Sequence, residues 1–225
     1  MAHAAGMNGR QRRKQGDGDM TESEDTWPMP KHNPGRPKHL HALGVIAVLF
    51  AQLERSIESL YRAEAWRRKM PDDLTNLYFY TLNEEKRIEA IRMIYKDYEK
   101  EHSQMHALID NLLEYFVWCR NCRNQVLHAE NYPASFGGDA ETLYLIKRMG
   151  KQNPRSVYMR FTLSELRSIA DKIRDGIVRS AIIEIRLRYL DAAPATVPPP
   201  YRDIVQEPLT EMLHIPPSLK LRPRP

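Results

Sequence analysis

The sequence predicts an all-α fold: a bundle of four core helices, with a β-hairpin inserted between the third and fourth helices and a disordered tail at each end. Three observations support this fold class. Apolar residues recur three and four positions apart over four segments, the spacing of a helix with one face in a core. Two Thr-x-x-Glu sequences match the capping box that begins a helix. Two short runs with β character flank a polar turn that contains Gly and Pro.

The composition is that of an ordinary soluble protein. The 225 residues are 42% hydrophobic and 28% charged, enough for one domain with a core and tails. A net charge of +5 is compatible with a polyanionic partner. The longest apolar run, residues 42–51, has about half the length needed to span a bilayer and is interpreted as part of a core helix. With no apolar export signal and no disulfide framework, we expect a cytoplasmic protein without a membrane partner.

The first helix follows a polar tail. Residues 1–38 are almost free of aliphatic side chains and should be disordered, because they cannot bury enough apolar surface to offset the entropy of ordering. Helix 1 is predicted at residues 39–69, between Pro37 and Pro71. Glu54 lies beside its apolar face and is either exposed or paired with an arginine of the third helix. The apolar face comprises Leu43, Ile46, Ala47, Phe50, Leu53, Ile57, Leu60 and Tyr61.

The second helix is placed by a capping signal. Residues 71–80 are predicted as a connection with a short apolar patch. Thr81 and Glu84 then match a capping box, in which each side chain bonds the backbone of the other residue. Helix 2 should run from there to about residue 100.

A break at residues 101–103 separates the third helix, because one helix continuing to residue 128 would be too long for a compact bundle. Helix 3 is predicted at residues 104–129. Its inward stripe comprises Met105, Leu108, Ile109, Leu112, Leu113 and Phe116.

A loop at residues 131–140 leads into the predicted hairpin, with strands at 142–148 and 156–162. The hairpin and its turn carry five cations that could contact a phosphate backbone. Alternatively, these charges protect an exposed sheet edge from pairing. The cations are Lys147, Arg148, Lys151, Arg155 and Arg160.

The fourth helix begins at a second capping box, Thr162 and Glu165, and should end near residue 190. Residues 191–225 hold nine of the 16 prolines and should form neither a helix nor a central strand. This C-terminal tail either lies along the bundle through its scattered apolar residues or forms a disordered linker or partner-binding segment.

The end of helix 3 holds the candidate functional residues. Carried past Phe116, the apolar stripe reaches Arg120, Arg123 and Asn124. A charge on a buried face is costly unless it is paired. His128 follows Asn124 by one helical turn. A purely structural role is the alternative, because cations and polar groups near a helix C-terminus stabilise its dipole and carbonyls.

Arg123 and Asn124, followed after three residues by His128, resemble the motif of the HEPN superfamily (higher eukaryotes and prokaryotes nucleotide-binding). The helix number and order over residues 39–190 fit that family's four-helix bundle. The resemblance implies a metal-independent endoribonuclease without a cofactor, formed by two protomers whose motifs face one cleft. It also implies a toxin–antitoxin or phage-defence setting, with an antitoxin or regulatory protein as a further partner.

The resemblance further implies a role for each motif residue. His128 would act as general base or acid at the ribose 2′-hydroxyl and the leaving 5′-oxygen, because imidazole exchanges protons near neutral pH. Arg123 would stabilise charge on the phosphorane-like transition state. Asn124 would orient His128 or contact the second motif. The products would carry a 2′,3′-cyclic phosphate and a 5′-hydroxyl.

The spacing raises a geometric question about which arginine acts. On an ideal helix Asn124 and His128 share a face, whereas Arg123 lies about 140° away from His128. Arg120 and Asn121 lie closer in angle to His128. The site therefore needs a distorted last turn or help from Arg120, and Arg120, Asn121 and Glu54 are predicted as supporting residues.

Two other interpretations compete at this helix end. Cys119 and Cys122 could bind a metal with His128 and His106, but a single cysteine pair inside a helix favours burial as small hydrophobic residues. The alternative function is a non-catalytic helical module that uses the same polar face for dimerisation, for binding a protein partner or for binding nucleic acid.

Overall fold

The computed structural model describes residues 37–131, 142–149, 155–206 and 212–217. It is mostly helical with a small antiparallel sheet, which confirms this much of the predicted fold class. The predicted N-terminal tail, residues 1–38, lies outside the described residues except for its last two, which begin the first helix. The helices are α1 (Pro37–Arg67), α2 (Asp72–Thr81), α3 (Glu84–Ile94), α4 (Tyr98–Glu101), α5 (Ser103–Leu127), α6 (Leu163–Arg188) and α7 (Arg202–Gln206). The strands are β1 (Glu130–Asn131), β2 (Thr142–Met149) and β3 (Arg155–Thr162).

The core forms where α1, α3, α5 and α6 bring their apolar faces together. Side chains from all four helices are fully buried, as the spacing of the apolar residues predicts. These include Ile46, Leu53, Leu60, Ile91, Leu112, Leu113, Leu166, Ile173 and Ile183.

Among the described helices, α1 alone has the length and apolar character to cross a membrane. Within its apolar run, however, Ala42, Ile46 and Phe50 are buried against the other helices. This placement agrees with the interpretation of residues 42–51 as part of a core helix on one face only, because Ala47, predicted on the apolar face, and Val48 are exposed.

The helices α1 and α6 run parallel in close contact. The Ser180 hydroxyl donates to the Ser56 carbonyl at 3.0 Å, and Arg67 pairs with Asp191 at 2.7 Å farther along. At Gly176 of α6 an added Cβ would stand 3.2 Å from Leu53 Cδ1 of α1 and 3.3 Å from Tyr115 Cε1 of α5. A larger residue at this position would therefore require these two packed side chains to shift.

Two predictions about the second helix are wrong. Residues 71–80 are not a simple connection, because most of them form α2. Thr81 is not the N-cap of the next helix, since it is the last residue of α2. The cap is Asn83, whose side chain accepts from the Lys86 amide at 2.9 Å. The helix that begins there ends at Ile94 rather than near residue 100.

The predicted breaks and the second capping box agree better with the structure. His102, with φ −141° and ψ 56°, interrupts the chain between α4 and α5 within the predicted 101–103 break. At the start of α6 the Glu165 carboxylate accepts from the Thr162 amide at 2.8 Å, and the Glu165 amide donates to the Thr162 hydroxyl at 3.2 Å. This capping box is confirmed.

The hairpin is confirmed, with β2 antiparallel to β3 and Ile146 opposite Tyr158. The sheet has a third strand that the sequence did not predict, because β1 pairs with β2 through Glu130 opposite Ile146. Asn131 was predicted in a loop and instead belongs to β1, while residues 132–141 lie outside the described part.

The C-terminal tail is partly ordered, which corrects the expected disorder. It contains the helix α7, and residues 212–217, here called the C-terminal strap, lie along α5. The Asn111 side chain bonds the Leu213 backbone twice, donating to its carbonyl at 3.1 Å and accepting from its amide at 2.8 Å. The Trp118 indole donates to the Pro217 carbonyl at 3.4 Å. Of the alternatives for this tail, the structure thus selects packing along the helices for the strap.

Replacing Asn111 with alanine should release the strap, because both hydrogen bonds to Leu213 disappear at a cost of about 1–2 kcal/mol. We expect the Leu213 amide to lose its protection in hydrogen exchange while amides in the middle of α5 keep theirs. Asn111→Asp is the matched control, since it keeps the oxygen that accepts from this amide. Unchanged protection at Leu213 in the alanine variant would contradict the assignment.

Candidate functional site

The end of α5 brings Arg123, Asn124 and His128 together. The helix ends at Leu127, and His128 follows with φ −98° and ψ 16°, outside regular helical geometry. Arg123 Nη1 lies 3.2 Å from His128 Nε2 and donates to Asn124 Oδ1 at 2.7 Å. The departure from helical geometry at His128 and the length of the Arg123 side chain together overcome the angular separation of an ideal helix.

Contacts with α1 hold the other side of Arg123. Its guanidinium carbon lies over the Phe50 ring, 4.4 Å from the ring centroid. Its Nη2 lies 4.0 Å from Glu54 Oε1, so Glu54 does pair with an arginine of α5. Only 20% of the Arg123 side chain is exposed. Burying a cation costs desolvation free energy, and contacts with a carboxylate and an aromatic face offset part of that cost.

Arg120 has a different partner. Its Nε lies 3.9 Å from Oε1 of Glu84, the first residue of α3. Asn121, the other residue predicted to support His128 by its angle, is exposed. The structure therefore brings Arg123 rather than Arg120 to His128.

The carboxyl of Glu54, in the middle of α1, has a shifted pKa. Burial raises the pKa of the Glu54 carboxyl above its usual value, and the nearby Glu84 carboxylate raises it further. Arg123 and Arg87 oppose this shift without cancelling it. The arginine that contacts His128 thus also stabilises the ionised form of a half-buried carboxylate.

The hairpin cations do not form one continuous surface. Lys147 shares the sheet face of Leu143 and Leu145, whereas Arg160 lies opposite Tyr144 on the other face. Lys147 reaches the candidate site, where its Nζ donates to the Asn124 carbonyl at 3.1 Å. That carbonyl belongs to the last turn of α5, where backbone acceptors lack helical partners.

The other three predicted cations of the hairpin can be placed only by their position in the chain. Arg148 lies in β2 and Arg155 in β3, whereas Lys151 is outside the described residues. The predicted phosphate-binding ribbon thus rests on Lys147, which is beside the motif, and on Arg160, which is exposed on the opposite face.

The two cysteines lie in the apolar core, as their interpretation as small hydrophobic residues predicted. Cys119 and Cys122 are 0% and 2% exposed. Burial raises the pKa of both thiols, that of Cys122 to about 12, which disfavours the reactive thiolate. Among the described residues, no group of three or more His, Cys, Asp or Glu side chains is arranged to hold a metal ion.

Two residues of the site were missed by sequence reasoning. Phe50 was assigned only to the core, and Glu84 only to a capping box. Phe50 stands one helical turn before Glu54 on the same side of α1, so this spacing was an available signal. The contact of Glu84 with Arg120 joins two helices and leaves no local pattern.

No protein-family model, no curated protein and no solved structure matches this chain.

Proposed function

We propose that this chain is a HEPN-like, metal-independent endoribonuclease with a four-helix bundle, and that it cleaves RNA through Arg123 and His128 at a cleft between two protomers. The observation that carries the proposal is the 3.2 Å approach of Arg123 Nη1 to His128 Nε2 at the exposed end of α5. A toxin–antitoxin or phage-defence role in the cytoplasm, with an antitoxin or regulatory partner, belongs to the same proposal through the resemblance of the motif.

The proposed reaction needs only proton transfer and charge stabilisation. The ribose 2′-oxygen attacks the neighbouring phosphorus while a His128 imidazole takes its proton. The bond from phosphorus to the 5′-oxygen breaks, and the His128 imidazole of the second protomer supplies a proton to that oxygen. Arg123 stabilises the added negative charge on the phosphoryl oxygens. Its contacts with Phe50 and Glu54 keep the guanidinium in position before RNA arrives.

The proposal is tested by incubating the protein with single-stranded and structured RNA in EDTA. We expect cleavage that leaves a 2′,3′-cyclic phosphate and a 5′-hydroxyl, identified by mass spectrometry. A His128→Ala protein, purified identically, controls for contaminating nucleases. Equal cleavage by the two proteins would contradict the proposal.

A second candidate is a non-catalytic module that uses this polar helix end for dimerisation, protein binding or nucleic-acid binding. The observation in its favour is that Arg123 already has partners within its own chain, in Glu54 and Phe50. In that case Arg123→Ala would lower the thermal stability of the protein. Neither the wild type nor this variant would cleave RNA. Binding of RNA that weakens with added salt but produces no cleavage would identify a nucleic-acid binder.

A further inference from the structure

A cavity of about 280 Å³ lies between α1, α2, α3 and α5, and its wall includes Glu54, the ion-pair partner of Arg123. Its wall combines carboxylates, aromatic rings and the guanidinium groups of Arg55 and Arg87, a mixture suited to a flat polar ligand. The residues that matter for its chemistry are Glu54, Glu58, Phe79, Tyr80, Glu84 and Arg87.

The carboxylates of this cavity differ in how well they are satisfied. Glu58 accepts from Arg62 Nε and from the Tyr80 hydroxyl, both at 2.7 Å. In contrast, Glu84 Oε1 is a buried atom that accepts no hydrogen bond within the described part of the chain. Its cation partner, Arg120 Nε, is 3.9 Å away, beyond hydrogen-bonding distance. A buried acceptor without a donor is costly, so a ligand that supplies N–H groups would be stabilised here.

Glu54 adds a second acceptor close to the first. Both carboxylates line the cavity, and Glu84 raises the pKa of the Glu54 carboxyl. Within the described part of the chain, Glu54 forms an ion pair with Arg123, whose Nη2 is 4.0 Å away. Arg55 and Arg87 also line the cavity, yet Glu84 Oε1 accepts no hydrogen bond from either of them.

Another part of the cavity wall offers planar groups on which a base could stack. The Arg87 guanidinium lies over Phe79 and Tyr80, 5.2 Å and 5.9 Å from the ring centroids. Phe79 is buried, whereas Tyr80 is exposed, so the surfaces open to a ligand are the Tyr80 ring and the Arg87 guanidinium. Unpaired RNA bases stack on both kinds of plane. Among the four RNA bases, only guanine presents two adjacent donors, N1–H and the N2 amino group, on one edge. A pair of carboxylates beside a stacking surface thus fits guanine better than adenine, cytosine or uracil.

We propose that this cavity binds guanine, and that Glu54 and Glu84 select it in the nucleotide whose 3′-phosphate lies at Arg123 and His128. This inference rests on the proposed ribonuclease function and adds a substrate class to it: cleavage of RNA after guanosine. Arg123 connects the base-binding cavity to the cleavage site, because it contacts Glu54 in the cavity wall and also contacts His128.

The test measures equilibrium binding of three nucleoside 3′-monophosphates to the full chain by calorimetry. We expect guanosine 3′-monophosphate to bind about tenfold or more tightly than the adenosine compound, as sites built to pair specific donors discriminate strongly. Inosine 3′-monophosphate, which lacks the N2 amino group, should bind with intermediate affinity. Equal affinity for the three compounds would overturn the inference, and this comparison needs no variant protein.

Variants then assign the selection to the two carboxylates. Glu54→Gln and Glu84→Gln should each reduce the preference for guanosine over adenosine while keeping the affinity for the adenosine compound. The matched control is Glu89→Gln on α3, where Glu89 pairs with Lys86 on the surface. A full preference for guanosine in both cavity variants would remove these residues from the assignment.

Cleavage measurements distinguish the proposed guanine site from the proposed ribonuclease activity. Selective binding of guanosine 3′-monophosphate without RNA cleavage would refute the ribonuclease and leave the base site standing. Cleavage at equal rates after all four bases would refute the base site and leave the ribonuclease standing. A cavity that binds a short arginine-rich peptide and none of the nucleotides would be a protein-docking site, and the inference would fall.

Discussion

Replacing Arg123 with alanine should slow RNA cleavage by about 10²–10³-fold, the usual effect of removing one preorganised group that stabilises transition-state charge. Replacing Arg120 with alanine should leave the rate close to that of the wild type. The reason is geometric: Arg123 contacts His128 and Asn124, whereas Arg120 lies against Glu84 of α3. Initial rates on one RNA substrate, measured for the two variants at equal concentration, check this difference.

Arg123→Lys is the informative control for charge. Lysine keeps the positive charge but lacks the planar fork that contacts His128 through Nη1 and Glu54 through Nη2. We expect a rate between those of the wild type and the alanine variant, with kcat affected more than KM. A slower reaction for Arg120→Ala than for Arg123→Ala would reverse the assignment of the functional arginine.

The polar end of α5 could be predicted from the sequence because its signal is local. An apolar stripe that continues into Arg120, Arg123 and Asn124 marks charges that need partners, whatever the fold around them. The backbone geometry at the end of a helix is harder to predict from the sequence. His128 leaves helical geometry two residues before Glu130, which pairs with Ile146 of β2, and no local pattern predicts a pairing between residues so far apart in the sequence.

The errors at α2 have a similar cause. Thr81 and Asn83 are both good N-cap residues, and the local sequence does not decide between them. The choice depends on Thr81 already belonging to α2, where Phe79 is buried against Tyr61 of α1. The C-terminal strap was no easier to place, because Asn111 and Leu213 are separated by 102 positions. The proline content predicted no helix in this tail, which is wrong for the short helix α7 at Arg202–Gln206, and it gave no information about a docking surface.

The largest effect on stability should come from Glu64, a carboxylate that is 1% exposed near the end of α1. It accepts from Arg68 Nε at 2.7 Å, from the Tyr98 hydroxyl at 2.6 Å and from Arg67 Nε at 3.0 Å. The bond from Tyr98 ties α1 to α4, whereas the two arginines stand on α1 and directly after it. Burial alone would raise the pKa of Glu64, but the hydrogen bonds from Arg67, Tyr98 and Arg68 outweigh it and lower the pKa below its usual value.

Replacing Glu64 with glutamine should lower the free energy of unfolding at pH 7 by about 2 kcal/mol, because hydrogen bonds to a charged acceptor are lost or weakened. For a chain of this size the expected fall in Tm is roughly 4–8 °C. The effect depends on pH in a defined direction. Since folding lowers this pKa, the stabilisation is complete above the carboxyl's usual pKa of 4.5 and disappears as the pH falls through the lower folded value.

Urea unfolding measures this dependence when it is carried out on the wild type and on Glu64→Gln. The measurement is made at pH 7 and again at successively lower pH below 4.5. The difference between the two proteins should shrink toward zero as the wild-type carboxyl takes up its proton. Glu89→Gln is the control, because Glu89 pairs with Lys86 on the surface and such pairs contribute about 0–1 kcal/mol. A Glu64 difference that stays constant over this pH range would show that Glu64 stabilises the fold through shape and not through its charge.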